Sequence, residues 1–553
     1  MGPIRILIPA VSLLLLIFAS TTLSVPLEPR IAEKLVEYER LDAWIELVKE
    51  GGALGMGDLP VGGAVITAGR PSVTLRLVAL LVSFPNRAGM SAYPLEKFEQ
   101  TLFKGTGKKG RSVAAFYAVN SDGALNVEGS VFGWFDLPQE LAYYAAGRAG
   151  LGQYPQNSHK LVEDALAAAR DVPFGKFDAF GREAGEGDGV VDVLVVIHSS
   201  RGMESTGELG NLWSHSGKLP APVEVGGVKV SHYVVAPVTA PVGLLAYEIA
   251  RILGAPDLGD PSYGSSGLGT WSLMSSGMWA GGSGDTPSLM DAYSRVHLGF
   301  ATPVDVTGER LKTDLGCGLL PPPVFRLYPG GIPGPEYFMV ECRWRKRFDQ
   351  RVPGEGVLIY HVDERVPDNR FVSCGPSALH ARVAVEQADG LCELEAGLPA
   401  EANDLWVTLG GNRFVAQDFD DFSSPAPHNY EGERTGVAVR DLKMFEGALM
   451  ADLYTDFPLD LERVPGITVR VAEGTAGNTV AEIEVQIAHP GLVQVRVRDL
   501  SGNTVWERET RFPEVGRHML RWDPSETGME ASGMYFVEVQ TSDWWDICRV
   551  RFP

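Results

Sequence analysis

Apolar residues divide the chain into one region of long buried segments and a remainder of short alternating ones. The stretches 73–84 and 190–198 are nearly continuous apolar runs, which is typical of strands buried on both faces. Apolar positions recur with a helical period over 161–170 and 242–253, and Gly254 follows the second stretch. Alternating strands and helices predict an α/β body in this part of the chain.

Beyond residue 304 the pattern changes to short stretches separated by glycine and proline. Residues 336–341 form a short β-like run, and residues 492–500 alternate strictly between apolar and polar side chains, which predicts strands. Frequent turns between such strands are typical of antiparallel sandwiches. We therefore expect an α/β domain over 71–304, a β-sandwich over 305–460 and a second all-β sandwich domain over 461–553.

The first 24 residues have the layout of a secretory signal peptide. Arg5 precedes an apolar run over 6–18, and small residues lead to a cleavage point after Ser24. A membrane anchor is the alternative, but the run contains Pro9 and is shorter than the ~20 residues that a span needs. Residues 25–70 combine a helical period with glycines, so we expect an N-terminal arm or pro-segment.

Charge and cysteine content narrow the class of protein. The 553 residues include 70 Asp plus Glu and 48 Lys plus Arg, a formal charge of −22. Such a charge repels phosphate backbones and anionic lipids, so nucleic acid and membrane surfaces are not expected partners. Export permits disulfides. Four of the five cysteines lie between 317 and 392 and could form one or two bridges, whereas Cys548 stands apart.

Candidate chemistry is concentrated where the helix 242–253 ends. The sequence over 247–257 is Tyr-Glu-Ile-Ala-Arg-Ile-Leu-Gly-Ala-Pro-Asp. It resembles the H-E-x-x-H-x-x-G-x-x-D motif of the secreted immune inhibitor A-type zinc metallopeptidases, in which two histidines and the aspartate bind zinc and the glutamate activates water. By this resemblance Glu248 is the general base and Asp257 a zinc ligand. Tyr247 and Arg251 occupy the two histidine positions.

The resemblance extends over roughly residues 25–455. Trp213-Ser214-His215 is similar to a W-S-H element of the family, and Met274 lies in a segment similar to the turn beneath the metal. Further similar segments are 112–117, 284–287, 360–364 and 386–390. The family resemblance implies a zincin-type α/β metallopeptidase-like domain followed by a β-domain. The last ~88 residues resemble a FlgD-like immunoglobulin-type domain on the segments 497–502, 521–523 and 532–536.

The two replaced histidines argue against the zinc that the family resemblance implies. A catalytic zinc needs three protein ligands and an open water position. The phenol of Tyr247 has an ordinary pKa near ~10, and the guanidinium of Arg251 has no lone pair to donate. We expect Arg251 to neutralise Asp257 or Glu248 through hydrogen bonds, with the Tyr247 ring or hydroxyl in contact nearby.

The alternative is a working peptidase with substitute zinc ligands. The chain has only 10 histidines, and four of them lie in the same predicted domain. These candidates are His198, His215, His232 and His297.

Two acidic stretches are candidate calcium loops. In the first, Glu186, Asp188 and Asp192 alternate with glycines and Asp178 precedes them. Oxygen ligands favour Ca²⁺, and the family resemblance implies a calcium loop here. The alternative is a solvated acidic turn that leads into a strand. A weaker candidate is the cluster of Glu401, Asn403 and Asp404.

These observations give two competing functions. The first is a secreted, extracellular or periplasmic, catalytically inactive pseudo-peptidase that binds an extracellular protein or peptide, or a surface ligand. The second is an active secreted zinc endopeptidase. In either case we expect a monomer without a membrane span.

Overall fold

The computed structural model describes most of the chain beyond residue 71. The described residues are 27, 28, 31, 72–86, 93–105, 110–179, 187–260, 262–370, 372, 380–410, 413–457, 466–473, 479–487, 489–499, 502–527, 533–541 and 545–552. The predicted signal peptide, most of the predicted arm and Glu186 lie outside them. No helix among the described residues is long and apolar enough to cross a membrane.

The first part of the described chain alternates strands and helices as predicted. Its strands are β1 (Val73–Ser83), β2 (Leu125–Asp136), β3 (Val193–His198), β4 (His215–Val225) and β5 (Val228–Pro237). Its helices are α1 (Leu95–Glu99), α2 (Val113–Asn120), α3 (Leu141–Ala145), α4 (Ser158–Ala168), α5 (Val242–Ile252) and α6 (Ala292–His297). A π-helical segment, Gln100–Lys104, follows α1.

The five strands form one sheet in the order β2-β1-β3-β5-β4. All neighbours are parallel except β4, which runs antiparallel to β5 at the sheet edge. Alternate residues of β1 belong to two hydrophobic clusters, one containing α5 and the other α4. The sheet is therefore covered on both faces, which explains why β1 and β3 read as continuous apolar runs.

The next region is built from short strands. They are β6 (Val304–Val306), β7 (Glu309–Asp314), β8 (Phe325–Leu327), β9 (Glu336–Arg343), β10 (Glu355–Asp363), β11 (Val383–Val385), β12 (Val407–Gly410), β13 (Arg413–Ala416), β14 (Ala438–Phe445) and β15 (Ala448–Tyr454). They form a seven-stranded sheet and a three-stranded sheet that share one hydrophobic cluster. The expectation of a wholly antiparallel arrangement is wrong at one edge, because β6 pairs with β8 in parallel.

The C-terminal region contains seven strands in two antiparallel sheets. They are β16 (Gly466–Glu473), β17 (Thr479–Ile487), β18 (Gly491–Arg498), β19 (Thr504–Phe512), β20 (Gly516–Trp522), β21 (Gly533–Gln540) and β22 (Trp545–Phe552). The sheet orders are β16-β17-β20 and β19-β18-β21-β22. Inward-facing residues of both sheets form a single cluster, so this region has a core of its own.

Buried charges join the α/β body to the sheet that follows it. Arg295 on α6 donates to Glu341 on β9 at 2.7 Å. Arg343 contacts Glu341 at 3.2 Å and makes a two-pronged contact with Asp349 at 2.7 and 2.8 Å. We call these four residues the interdomain ion cluster. Nearby, a disulfide joins Cys317 to Cys342, and Cys392 is also disulfide-bonded.

Candidate functional site

Helix α5 is buried on every side, not only along its apolar face. Tyr247 and Glu248 are 0% exposed and Arg251 is 8% exposed. Gly243, in the first turn, lets the helix approach another segment closely: a Cβ there would lie 2.0 Å from the carbonyl oxygen of Met278. Gly254 follows the helix with a φ of +98°, a conformation that favours glycine and ends the helix as the sequence predicts.

Glu248 is held by the neighbouring edge strand. The backbone N–H of Ser216 on β4 donates to its Oε2 at 2.6 Å. The preceding residue, His215, donates through Nδ1 to the Trp213 carbonyl oxygen at 2.8 Å. Burial lowers the pKa of His215 to about 4, so this imidazole is neutral at pH 7. The W-S-H segment thus positions the glutamate beside the sheet edge.

Arg251 does not pair with the carboxylates as the sequence predicts. Its Nη1 donates to the backbone carbonyl of Ala255 at 3.2 Å. Within the described part of the chain it forms no ion pair within 4 Å, so the expected hydrogen bond to Asp257 or Glu248 is wrong. The physical reason is local: the glycine turn at the end of α5 presents carbonyl groups, and these attract a cation in the last helical turn.

Tyr247 and Asp257 face each other across the end of the helix. Burial raises the pKa of Asp257 to about 6, and the opposing charge of Arg251 limits the rise. Burial also raises the pKa of Tyr247, and Asp257 adds to this effect. The two groups perturb each other, but the Tyr247 hydroxyl has no hydrogen-bond partner of ordinary geometry among the described residues. The phenol therefore stays protonated and unsuited to bind a metal.

Met274, which the family resemblance placed in a turn beneath the metal, is bonded to the segment that follows α5. Met274 is fully buried, and its carbonyl oxygen accepts a hydrogen bond from the Leu258 N–H at 2.8 Å. Leu258 directly follows Asp257. The turn therefore holds the segment that carries the aspartate.

A second buried glutamate, which the sequence pattern does not indicate, lies beside this site. Glu204 is 1% exposed and accepts hydrogen bonds from the Ser214 N–H at 3.1 Å and from its hydroxyl at 2.9 Å. Burial raises the pKa of Glu204 to about 7, and the charge of Glu248 adds to the rise. Nothing in the local sequence marks this residue, because a single glutamate near a turn usually faces solvent.

The described part of the predicted arm contacts both sides of the site. The Glu28 N–H donates to the Glu204 carbonyl oxygen at 3.1 Å, and the Leu27 N–H donates to the Tyr263 hydroxyl at 3.2 Å. Leu27 is 2% exposed and Ile31 is 8% exposed. The chain thus buries two apolar residues of its predicted arm, Leu27 and Ile31, and bonds this part of the arm to Glu204 and Tyr263.

The candidate calcium loop is held by backbone hydrogen bonds. Asp178 accepts from the N–H groups of Asp188 and Gly189 at 2.8 and 2.9 Å. Asp192 accepts from Arg76 and Ala179 at 2.7 and 2.9 Å. Glu186 lies outside the described residues. These bonds account for the shape of the loop with protein groups alone, and calcium here stays a prediction.

The side chains of the α5 site do not fit a catalytic zinc. Asp257 could donate an oxygen, but Tyr247 is a protonated phenol and Arg251 brings a positive charge. The four candidate substitutes do not complete the set, because the described residues include no group of three His, Cys, Asp or Glu side chains that could hold a metal. His215 is engaged with Trp213, and His297 stacks on Tyr293 with ring centroids 5.7 Å apart.

Comparison with known proteins shows which family this domain resembles. Residues 86–300 match the family model of the immune inhibitor A peptidase M6 catalytic domain. This part of the chain is therefore similar to the catalytic domain of M6 metallopeptidases.

Two named relatives are similar in sequence to part of this chain. Immune inhibitor A of Bacillus thuringiensis subsp. alesti is 31% identical over 245 residues, which cover 38% of this chain and 36% of the relative. Pre-pro-metalloprotease PrtV of Vibrio cholerae serotype O1 is 29% identical over 272 residues, 41% of this chain and 30% of its own length. The chain thus spans about a third of the length of these relatives.

One solved structure is also similar by alignment. Wild-type OgpA from Akkermansia muciniphila aligns over 90% of this chain and 95% of its own, at 8% identity and a TM-score of 0.17. A score this low supports no conclusion about fold or function.

Proposed function

We propose that this chain is a secreted protein whose M6 domain does not hold a catalytic zinc and instead binds an extended segment of an extracellular protein or peptide beside α5. The observation that carries the proposal is Arg251. It stands where the family has its second histidine, and its guanidinium is anchored by the Ala255 carbonyl at the end of the helix. A permanent cation at this place opposes a divalent metal ion by Coulomb repulsion.

The surroundings of α5 support binding of an extended segment. Strand β4 is the last strand at its edge of the described sheet, and edge strands can pair with an added polypeptide. The Glu204 carbonyl already accepts a hydrogen bond from the backbone N–H of Glu28. The neighbouring residue Leu27 is almost fully buried, at 2% exposure. Backbone pairing with a buried apolar anchor is the chemistry that recognises an unfolded peptide strand.

Zinc content and proteolysis test the inactive state directly. We expect the purified mature chain, dialysed against zinc, to hold far less than one zinc per molecule and not to hydrolyse casein. The double variant Tyr247→His plus Arg251→His restores the ligand set and should take up about one zinc, whereas either single variant should not. Adding Glu248→Gln to the double variant gives a matched control that binds zinc without hydrolysing casein.

The competing function, an active zinc endopeptidase, predicts the opposite results. If the unmodified chain holds one zinc per molecule and a chelator abolishes its casein hydrolysis, the proposal is wrong and the domain is an active endopeptidase. Substitute ligands would then have to be sought among residues such as His198 and His232.

A further inference from the structure

His361 lies inside the β-region with a glutamate at each ring nitrogen. It belongs to β10 and is 2% exposed. Its Nε2 lies 3.0 Å from Oε1 of Glu336 on β9, and its Nδ1 lies 3.0 Å from Oε1 of Glu386. A neutral imidazole has one N–H donor and one acceptor nitrogen, whereas an ionised carboxylate can only accept. With both glutamates ionised, the two contacts require a proton on each nitrogen, and the ring is then an imidazolium.

Glu336 is fixed as an ionised, accepting partner. Its Oε1 also accepts from the Tyr430 backbone N–H at 2.6 Å, and its Oε2 pairs with the guanidinium of Arg365. These donors leave no place for a proton on the carboxyl group. Burial opposes the charge of Glu336, but the contacts with His361 and Tyr430 outweigh it and lower its pKa. The Nε2 of His361 therefore carries a proton and donates it to this hydrogen bond.

The second proton lies between Nδ1 of His361 and Glu386. An imidazole ordinarily titrates about two pH units above a glutamate, so the proton stays on the ring and Glu386 accepts. Burial opposes a charged ring, but the contacts with the two glutamates outweigh it and raise the pKa of His361 above its ordinary value. The ring is therefore positively charged at neutral pH.

Aromatic rings pack against this charged imidazole. Its centroid lies 4.5 Å from that of Phe338 on β9 and 4.1 Å from that of Tyr430. The His380 ring lies on Tyr430 at 3.9 Å, almost parallel to it. An aromatic face attracts a cation, so the charge on His361 strengthens these contacts. The imidazolium thus joins the strand pair β9–β10 to the segment 380–386 and to the loop that carries Tyr430.

The neighbouring titratable groups leave His361 as the one that changes charge above neutral pH. Burial and the charge of His361 lower the pKa of His380, so this second ring is neutral there. Burial and the surrounding carboxylates raise the pKa of Tyr430 well above its ordinary value, so its phenol stays protonated. The other charged groups near these rings are Asp363, Arg365, Glu395 and Glu431.

We propose that Glu336, His361 and Glu386 form a pH-sensitive clamp, which holds the segments of Glu386 and Tyr430 on β9 and β10 and releases them when the imidazolium loses a proton. Deprotonation turns one nitrogen lone pair towards a carboxylate, and a buried carboxylate that loses its donor is costly. The stabilisation is fully present below the ordinary histidine pKa of about 6.5 and is lost as the pH rises through the raised pKa of the folded chain.

The clamp is linked to the end of α5 through Asn369. Glu386 directly follows β11, and the Val383 N–H of this strand donates to the Asn369 side chain at 3.2 Å. The same side chain donates to the Leu258 carbonyl at 3.1 Å. Leu258 directly follows Asp257. Release of the clamp therefore removes support from the backbone beside this aspartate, whether or not the α5 site holds a metal.

A histidine titration of the purified mature chain tests the charge. With ¹³C-labelled histidine, the imidazole signal of His361 is the one that is missing from His361→Gln. We expect its midpoint to lie above the ordinary value of about 6.5. The variant Glu386→Gln keeps an acceptor but removes one carboxylate, so it should lower the midpoint by about one pH unit or more. A midpoint of the unmodified chain at or below the ordinary value overturns the proposal.

Amide hydrogen exchange tests the release. The Glu386 N–H donates to the Ile359 carbonyl at 2.9 Å, and the Tyr430 N–H donates to Glu336. Between about pH 6 and 10 the protection factors of both amides, corrected for the intrinsic pH dependence of exchange, should fall about tenfold or more. In Glu386→Gln the fall should begin at a lower pH. His361→Gln should show low protection throughout this range.

His518→Gln is the matched control. His518 also stacks on an aromatic ring, that of Phe512 at 4.0 Å, but its Nε2 lies 2.8 Å from the Glu514 carbonyl and not from a carboxylate. It should leave both protection profiles unchanged. The proposal is overturned if protection in the unmodified chain does not change with pH, if Glu386→Gln leaves the midpoint in place, or if His518→Gln also removes the pH dependence. Glu386→Gln retains His361, so it keeps the test decisive if His361→Gln does not fold.

Discussion

The interdomain ion cluster and the α5 site are both buried and charged, but they are stabilised differently. In the cluster, Arg295 and Arg343 contact Glu341 and Asp349 at 2.7–3.2 Å. Tyr360 donates to Glu341 as well, at 2.7 Å. Each carboxylate there has a cation and a donor.

The α5 site has the same kinds of residue without the same pairing. Arg251 bonds to a backbone carbonyl, Glu248 accepts from a backbone N–H, and the Tyr247 hydroxyl has no partner among the described residues. Opposite charges near each other in sequence therefore do not pair when the backbone at a helix end offers a closer acceptor.

The largest expected effect is a difference in stability between variants of Arg343 and Arg251. Arg343→Met should lower the free energy of unfolding by about 3–5 kcal/mol, because it leaves Asp349 buried without its cation and Glu341 with only Arg295. Arg251→Met, the matched change at the α5 site, should cost about 1 kcal/mol, since it removes one hydrogen bond to a carbonyl. Denaturant unfolding of both variants measures the difference. Equal losses would mean that Arg251 is paired after all.

A smaller effect should appear as pH dependence at Glu204. Its pKa is raised from 4.5 to about 7 in the folded chain. Between about pH 4.5 and 7 the Glu204 carboxyl is protonated in the folded chain and ionised in the unfolded chain. The free energy of unfolding therefore falls as the pH rises from about 4.5 to 7. The contribution is on the order of 3 kcal/mol.

The variant Glu204→Gln is the control for this pH dependence. It keeps an acceptor for Ser214 but cannot ionise, so its stability should fall less than that of the unmodified chain between pH 5 and 8. Parallel pH profiles from denaturant unfolding would contradict the raised pKa.

The smallest effect should come from a pair of buried tyrosines. Tyr360→Phe removes a donor from Glu341 and should cost about 1–3 kcal/mol. Tyr247→Phe removes a hydroxyl without a hydrogen-bond partner and should be neutral or slightly stabilising, within about 1 kcal/mol. Each variant lacks only the hydroxyl group of its tyrosine, so thermal unfolding of the two variants compares what the two hydroxyl groups contribute to stability. A loss at Tyr247 as large as that at Tyr360 would show that its hydroxyl is bonded to Asp257.

Much of the fold could be predicted from periodicity. The apolar run at 73–84 corresponds to β1, and the helical pattern at 242–253 corresponds to α5. A strand buried on both faces gives a continuous apolar run, and a helix packed along one face gives a helical period of apolar residues, so both can be read from the sequence. The motif positions of Glu248 and Asp257 could also be located, since the spacing of a helix followed by a glycine turn is local. The parallel pairing of β6 with β8 could not, because strand direction depends on distant partners.

The order of residues alone determined that Tyr247 and Arg251 stand where the motif that this segment resembles has its two histidines, since that is a matter of which side chain occupies which position. Which groups those side chains contact depended on three-dimensional packing. Arg251 turned to Ala255 because the turn at Gly254 places that carbonyl within reach. Glu204 joined the site because Ser214, directly before β4, donates to its carboxylate. Such contacts follow from how the backbone folds, and a sequence pattern carries no record of them.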